Sequence, residues 1–235
     1  MRVARAHVCR MLRIKNQDEL IFTSCGSESD NRAIDIALNH FTTQFALLTT
    51  TTPPHVVTSA IEHPAILVYL QALEEKGQIS LTVLDVDEEG YVCPQSVGKA
   101  LNDSTALVTI MHSNNEVGTV QPIREISRII ADYNKTSRNK KRRILLHSDG
   151  AQSAGKLRLD VVELGVDMFT VVGHKFGAPK GVAALYVKEG IKHSPLLTGG
   201  GQELGRRAGT ENVILIVGMG EAAKLALQVY HRQTT

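Results

Sequence analysis

The chain has 235 residues, 43% of them apolar, with 26 Lys and Arg against 24 Asp and Glu for a formal net charge of +2. That near balance lacks the basic footprint of a nucleic-acid binder, and no apolar run approaches the ~18 residues of a membrane span, so a soluble protein without nucleic-acid or membrane partners is expected. The three cysteines, Cys9, Cys25 and Cys93, are widely spaced with no C-x-x-C pair, which points away from a disulfide framework or a zinc site and fits a reducing compartment.

The start, M-R-V-A-R-A-H-V-C-R-M-L-R-I-K, is rich in arginine and free of acids, as mitochondrial presequences are. Its apolar residues Val3, Val8, Met11, Leu12 and Ile14 equally describe an amphipathic helix, and the helix is the expectation. Glu19 to Thr23 follows as a short strand. The next run, S-C-G-S-E-S-D-N-R, reads as a turn into a helix beginning near Glu28. Free N–H groups and a positive dipole end make such a turn a place for a phosphate, with the Ser27 hydroxyl as an added donor; Ser27 is equally well read as a plain N-cap.

His55 to Ser59 is a second strand, and the helix Ala65 to Lys76 follows with Pro64 suited to its first position. His63, at the turn between them, is placed to stack on a ligand ring or to move protons, or else is a solvated turn residue. Ile79 to Val86 is a third strand, followed by an acidic turn without the EF-hand spacing and a helix around Pro94 to Leu101. Ala106 to Met111 is a strand running into H-S-N-N-E-V-G, where Asn114, Asn115 and Glu116 either face a ligand or form a polar turn before the helix Ile123 to Tyr133. The run Asn139 to Arg143 has no interleaved aromatics and reads as a solvated helix-to-strand connection.

A strand from Ile144 to His147 leads to Asp149 and Gln152, a short helix covers Val161 to Leu164, and a strand from Met168 to Val172 leads to His174 and Lys175. Gly181 to Val187 is a further strand, antiparallel after a tight A-P-K-G turn. A glycine-rich run, T-G-G-G-Q-E-L-G-R-R-A-G-T-E-N, precedes the apolar helix Val213 to Val229. Alternating strands and helices predict an α/β fold, a mostly parallel sheet with helices on both faces and no repeat or linker. Taken singly, Asp149 is a helix cap and Lys175 a solvated residue. Together at strand ends, where open sheets bind ligands, they suit pyridoxal phosphate, whose aldehyde takes a lysine and whose pyridine nitrogen takes an aspartate. No G-x-G-x-x-G follows the first strand, which argues against a dinucleotide.

In this order the landmarks resemble the cysteine desulfurase and selenocysteine lyase family, pyridoxal-phosphate enzymes of the class V aminotransferase group. Its Gly-Ala-Thr-Glu turn corresponds to Cys25, Gly26, Ser27 and Glu28, and its Glu-His motif to Glu62 and His63. Asn-Asn-Glu-x-Gly matches Asn114 to Gly118, Asp-x-x-Gln-x-x-Gly-Lys matches Asp149 to Lys156, and Gly-His-Lys is Gly173, His174 and Lys175. Gly-Gly-Gly-[His/Gln]-Glu is Gly199 to Glu203. Two positions depart from the pattern: many desulfurases carry Ser where this chain has Val172, and Arg is usual where it has Leu204.

The resemblance implies a fold type I large domain over residues 1–235, truncated at both ends relative to the family, with its C-terminal small domain absent. It implies that Lys175 holds pyridoxal 5'-phosphate, Asp149 supports the ring nitrogen, His63 stacks on the ring, and Asn115 and Gln152 lie near the ring oxygen. Gly26, Ser27 and His174 would hold the phosphate, and Thr210 would reach the phosphate of a neighbouring subunit in a homodimer. No metal is implied. Lys175 and His63 are the catalytic candidates. The implied reaction takes sulfur or selenium from L-cysteine or L-selenocysteine, leaves L-alanine and involves an acceptor protein, in the cytoplasm or the mitochondrion. The family's acceptor cysteine has no match in Cys9, Cys25 or Cys93. A catalytically incomplete piece of such an enzyme is therefore the first expectation, and a non-catalytic cofactor-binding or dimerisation module the second.

Overall fold

Runs such as T-A-L-V-T and M-F-T-V-V carry apolar or small side chains at every position, and runs of this kind become strands buried on both faces. The computed structural model describes residues 1–45, 52–136 and 143–233. Its strands are β1 (Leu20–Thr23), β2 (His55–Ser59), β3 (Ser80–Leu84), β4 (Thr105–Thr109), β5 (Leu145–Asp149), β6 (Met168–Val172) and β7 (Ala183–Val187). They form one sheet in the order 1-7-6-5-4-2-3. Strands β2 to β6 are parallel to their neighbours among themselves, and β7 runs antiparallel to both β1 and β6. The expected mostly parallel sheet with one reversed strand is therefore present.

Successive strand residues face opposite layers. Val56, Leu107, Leu145, Met168 and Leu185 pack beneath α2 (Gly26–Phe45) and α3 (Pro64–Glu75). Val57, Val108, Leu146, Phe169 and Ala184 pack on the opposite face. That face is covered by α1 (Arg2–Leu12), α4 (Pro94–Ala100), α5 (Ile123–Thr136), α6 (Val161–Leu164) and α7 (Val213–Gln233). All ten strand residues just named are buried, and each of the nine other than Ala184 contributes on the order of 1.5–3 kcal/mol of transfer free energy.

The opening segment is a helix, as its apolar spacing predicts. Its Arg5 donates to the Leu20 carbonyl and, at 2.6 Å, to Glu203 Oε1, while Glu203 Oε2 accepts the Phe22 N–H at 2.9 Å. One carboxylate thus ties α1 and the glycine-rich loop to β1. Helix α7 lies across α1 at Gly220, where any Cβ would overlap Ala4. Among the described residues no helix is long and apolar enough to cross a membrane.

Several boundaries differ from the sequence expectation. Helix α2 begins at Gly26 rather than near Glu28: the Cys25 Sγ just ahead of it accepts the Glu28 N–H at 3.4 Å, and the Glu28 carboxylate reaches back to accept the Ser24 N–H and hydroxyl (2.8 and 2.5 Å), which holds the chain ahead of the helix in place. Glu19 belongs to a 3-10 turn before β1, β3 ends at Leu84, and β4 spans Thr105–Thr109. Strand β7 starts at Ala183 because Gly181 sits at φ +93°, still within the turn. Of the basic run, residues 139–142 lie outside the described residues, and Arg143 pairs with Asp167.

Gly220→Ala forces α1 and α7 apart and is expected to cost about 1–3 kcal/mol, the usual range for overpacking. Urea unfolding measures it; an unchanged midpoint would mean that the two helices do not approach this closely.

Candidate functional site

The chain leaving β2 returns through α3 on one face of the sheet, and the chain leaving β4 returns through α5 on the other. Diverging connections open a crevice at the carboxyl ends of the strands. A cavity of about 260 Å³ lies there, lined by Met111 beyond β4, Asp149 at the end of β5 and Val172 at the end of β6. The first turn of α2 enters from the β1 side, with Gly26, Ser27 and Asp30 on the wall. His63, Asn115, Gln152, His174 and Lys175 complete it. Eight of the nine sequence-predicted site residues therefore share one cavity, although they span the chain from Gly26 to Lys175.

The open alternatives of the sequence resolve one by one. Ser27 is not the helix cap, since Cys25 precedes the first helical residue and its Sγ accepts the Glu28 N–H at 3.4 Å, and Ser27 stands on the cavity wall. Asn114 is the turn former: its Oδ1 accepts the N–H groups of Glu116 (2.8 Å) and Val117 (2.9 Å), and its Nδ2 donates to the Ile61 carbonyl. Asn115 is the one that lines the cavity. His63 is both turn residue and wall: its Nδ1 accepts the Ala65 N–H at 3.1 Å and caps α3. A neutral His63 ring must therefore carry its proton on Nε2. The Gln152 side chain accepts Lys156 Nζ at 2.9 Å, and Lys175 closes the 3-10 turn Gly173–Lys175 directly after β6.

Beneath the cavity lies an acidic floor. Asp149 is buried, and its Oδ1 accepts the Ala151 N–H at 2.8 Å. Glu62 is buried with Oε1 accepting from the Ser59 hydroxyl (2.6 Å) and the Met111 N–H (2.8 Å), while its Oε2 has no partner. Asp30 is buried, and its Oδ1 also lacks a hydrogen-bond partner. Burial pushes all three carboxyls up, Glu62 to about 8. For Asp30 the Asp149 charge adds to burial; for Asp149, the Ala151 N–H and the nearby His63 and Lys175 pull the other way. The His147 ring stands 3.9 Å from Asp30 but bonds Thr109 and Thr170 hydroxyls, and burial pushes it down to about 3, so it brings no charge.

Asp30 was not foreseen. It lies one turn after Gly26, four residues on along α2, and helix spacing puts those positions on one face. Cys25, Met111 and Val172 also line the cavity. Of the other cysteines, Cys9 is buried and its thiol is pushed up to about 11, and Cys93 is exposed ahead of α4. Thr210 lines a different cavity of about 160 Å³, with Ser24, Glu203 and Arg207. Leu204, the second departure, is exposed at φ 60°, beside Glu203 at φ 51°.

The aminotransferase class-V family model matches residues 1–234. The chain is 44% identical over 224 residues to the cysteine desulfurase IscS of Dictyoglomus turgidum, a match over 95% of this chain and 52% of that protein. It is 44% identical over 227 residues to a cysteine desulfurase of a Nostoc species, covering 97% and 52% respectively. Among solved structures, SspA in complex with cysteine aligns with a TM-score of 0.82 at 38% identity, over 94% of this chain and 59% of that one. The chain spans about half the length of the curated relatives it matches.

The acidic floor fixes a pH dependence. Folded Glu62 holds a proton that the unfolded chain releases above its ordinary carboxyl value of 4.5. The unfolded state then binds fewer protons, so stability falls as pH rises from there to about 8, by up to ~1.4 kcal/mol per pH unit for each proton held. Asp30 and Asp149 act with the same sign. Glu62→Gln keeps the Oε1 acceptor and removes the titration, so thermal melts between pH 5 and 8 are expected to show a shallower decline than the wild type. Parallel declines would show that Glu62 is ionised in the fold.

Proposed function

Because the chain belongs to the aminotransferase class-V family, we propose that it is the cofactor-holding part of a pyridoxal-5'-phosphate enzyme that removes sulfur or selenium from L-cysteine or L-selenocysteine and leaves L-alanine. The observation that carries this reading is the shared cavity of Asp149 and Lys175, with the first turn of α2 on the same wall. Three buried carboxyls have no lysine or arginine partner among the described residues, and a cationic ring nitrogen beside Asp149 would favour its ionised form against burial. The unsatisfied N–H groups of a helix start suit a phosphate. The residues present therefore fit the group.

When bound, the cofactor supplies an electron sink for charge developing at the substrate carbon. Lys175, which makes no hydrogen bond or ion pair among the described residues, would hold the cofactor through its aldehyde and would be the amine placed to carry a proton. Asp149, at the end of β5, would pair with the ring nitrogen. His63, fixed by its Nδ1 bond to the Ala65 N–H, would stack on the cofactor ring, with Nε2 left for proton transfer. Asn115 and Gln152 serve the ring oxygen, and Gly26, Ser27 and His174 the phosphate. Desolvation, with Lys175 and Lys180 alongside, holds His174 below its ordinary value before any phosphate is present.

Thr210, in its separate cavity beside Arg207, suits contribution to the site of a second copy in a homodimer. A cysteine-bound relative supports an amino-acid substrate of this size. A protein acceptor would take the released sulfur or selenium, and the cytoplasm, or alternatively the mitochondrion, is the compartment we assign.

The purified chain is expected to take up pyridoxal phosphate as a coloured complex that borohydride fixes to Lys175. Lys175→Ala should abolish the fixed label, and Asp149→Ala should weaken uptake by about tenfold or more, as loss of a buried charge partner does. A label that survives Lys175→Ala would remove the assignment.

A further inference from the structure

Gly26 opens α2, and its backbone is not in the left-handed region, so the position does not call for glycine on conformational grounds. Space is what calls for it. A Cβ at residue 26 would lie 2.7 Å from Cγ2 of Val172. Val172 is only 5% exposed, and a β-branched side chain has little rotamer freedom with which to move aside. Both residues line the cavity, one at the helix start and one at the end of β6 just before Gly173, His174 and Lys175.

We propose that Gly26 and Val172 form a matched pair that sets how closely the α2 N-terminus approaches the Lys175 turn, and so fixes the depth of the pocket for a phosphate monoester. The pair acts through backbone placement and is a positioning device. Glycine is a poor helix residue, and its presence here is explained by the valine that occupies the space of its absent side chain. The two sites are exchangeable only together: a methyl group at 26 requires a smaller group at 172. The inference deepens the pyridoxal-phosphate reading and rests on it for the identity of the ligand.

The test uses the 235-residue chain as wild type, Gly26→Ala, Val172→Ala and the double variant. Affinities for pyridoxal phosphate and for unphosphorylated pyridoxal are measured by absorbance. Gly26→Ala is expected to weaken pyridoxal phosphate by about tenfold, the order brought by overpacking a close contact. Pyridoxal, without the phosphate, should change less than about threefold, and the double variant should return to within about threefold of wild type, as coupled neighbours do. A merely structural defect would weaken both ligands alike, and that result, or a double variant no better than Gly26→Ala, overturns the proposal. If Gly26→Ala does not fold, recovery of a folded, phosphate-selective double variant supports the pair, and an equally unfolded double variant overturns it. Should the wild type bind no pyridoxal phosphate, the functional reading falls. The pair is then read from the stabilisation of the same four chains by inorganic phosphate, where loss in Gly26→Ala and return in the double variant uphold it and uniform response sinks it.

Discussion

Asp30, Glu62 and Asp149 are taken out of water together at the end of a parallel sheet, and among the described residues none is bonded to a lysine or arginine. Removing an unpaired carboxylate from water costs several kcal/mol. The fold meets that cost in two ways: by keeping protons on the carboxyls, and by aiming donors at them from strand ends. The Met111 N–H beyond β4, the Ala151 N–H beyond β5 and the Ser59 hydroxyl at the end of β2 are those donors. Each is in place only while β2, β4 and β5 keep their register. The alignment of Val108 with Leu146 and of Asp149 with Thr170 is therefore a condition for the site as well as for the core.

The opposite polarity is brought by α2. Its first turn carries the positive end of the helix dipole, and Glu28, which would oppose it, is neutralised by Arg207 at 2.7 Å and 3.0 Å. Burial resists ionisation of Glu28, but the Arg207 and Ser24 bonds outweigh it and hold the carboxyl below its ordinary value. Asp30 lies four residues after Gly26, about 6 Å along the helix axis. One helix therefore presents a donor-rich end and, one turn later, a buried acid that has no lysine or arginine partner among the described residues to the same cavity. A ligand with an anionic group at one end and a proton-accepting ring nitrogen at the other answers both demands at once.

The strands were legible because each is a short apolar run buried on both faces, and the site motifs because they stand where those runs stop. Asp149 and Lys175 could be read as strand-end residues without knowing which strands adjoin. Two kinds of fact were not legible. The first is which of two adjacent polar residues faces inward: Asn114 and Asn115 differ only in which one the Glu116 and Val117 amides capture. The second is the long-range partner of a small residue. Nothing near Gly26 in sequence announces Val172, and nothing near Glu203 announces Arg5 or Phe22. Asp30 was hidden for a different reason, since an acid in the first turns of a helix is ordinarily a solvated partner of the dipole.

Around the Lys175 turn, exclusion does the work that hydrogen bonds do at the acidic floor. A side chain at Gly150 would overlap the Phe169 ring, and one at Gly155 would overlap Phe176. At Gly173 a Cβ would stand 2.9 Å from the Val182 carbonyl oxygen. The segment that delivers His174 and Lys175 is thus boxed in by β7 and by the turn after β5, and its backbone has few alternatives. Among the described residues the Lys175 side chain makes no hydrogen bond or ion pair at the end of that fixed backbone. An amine that must first attach to a ligand and later move a proton gains from this division: its origin is held while its reach stays free. Hydrogen bonds to Lys175 itself would secure its position only by tying up the amine that the proposed function needs free.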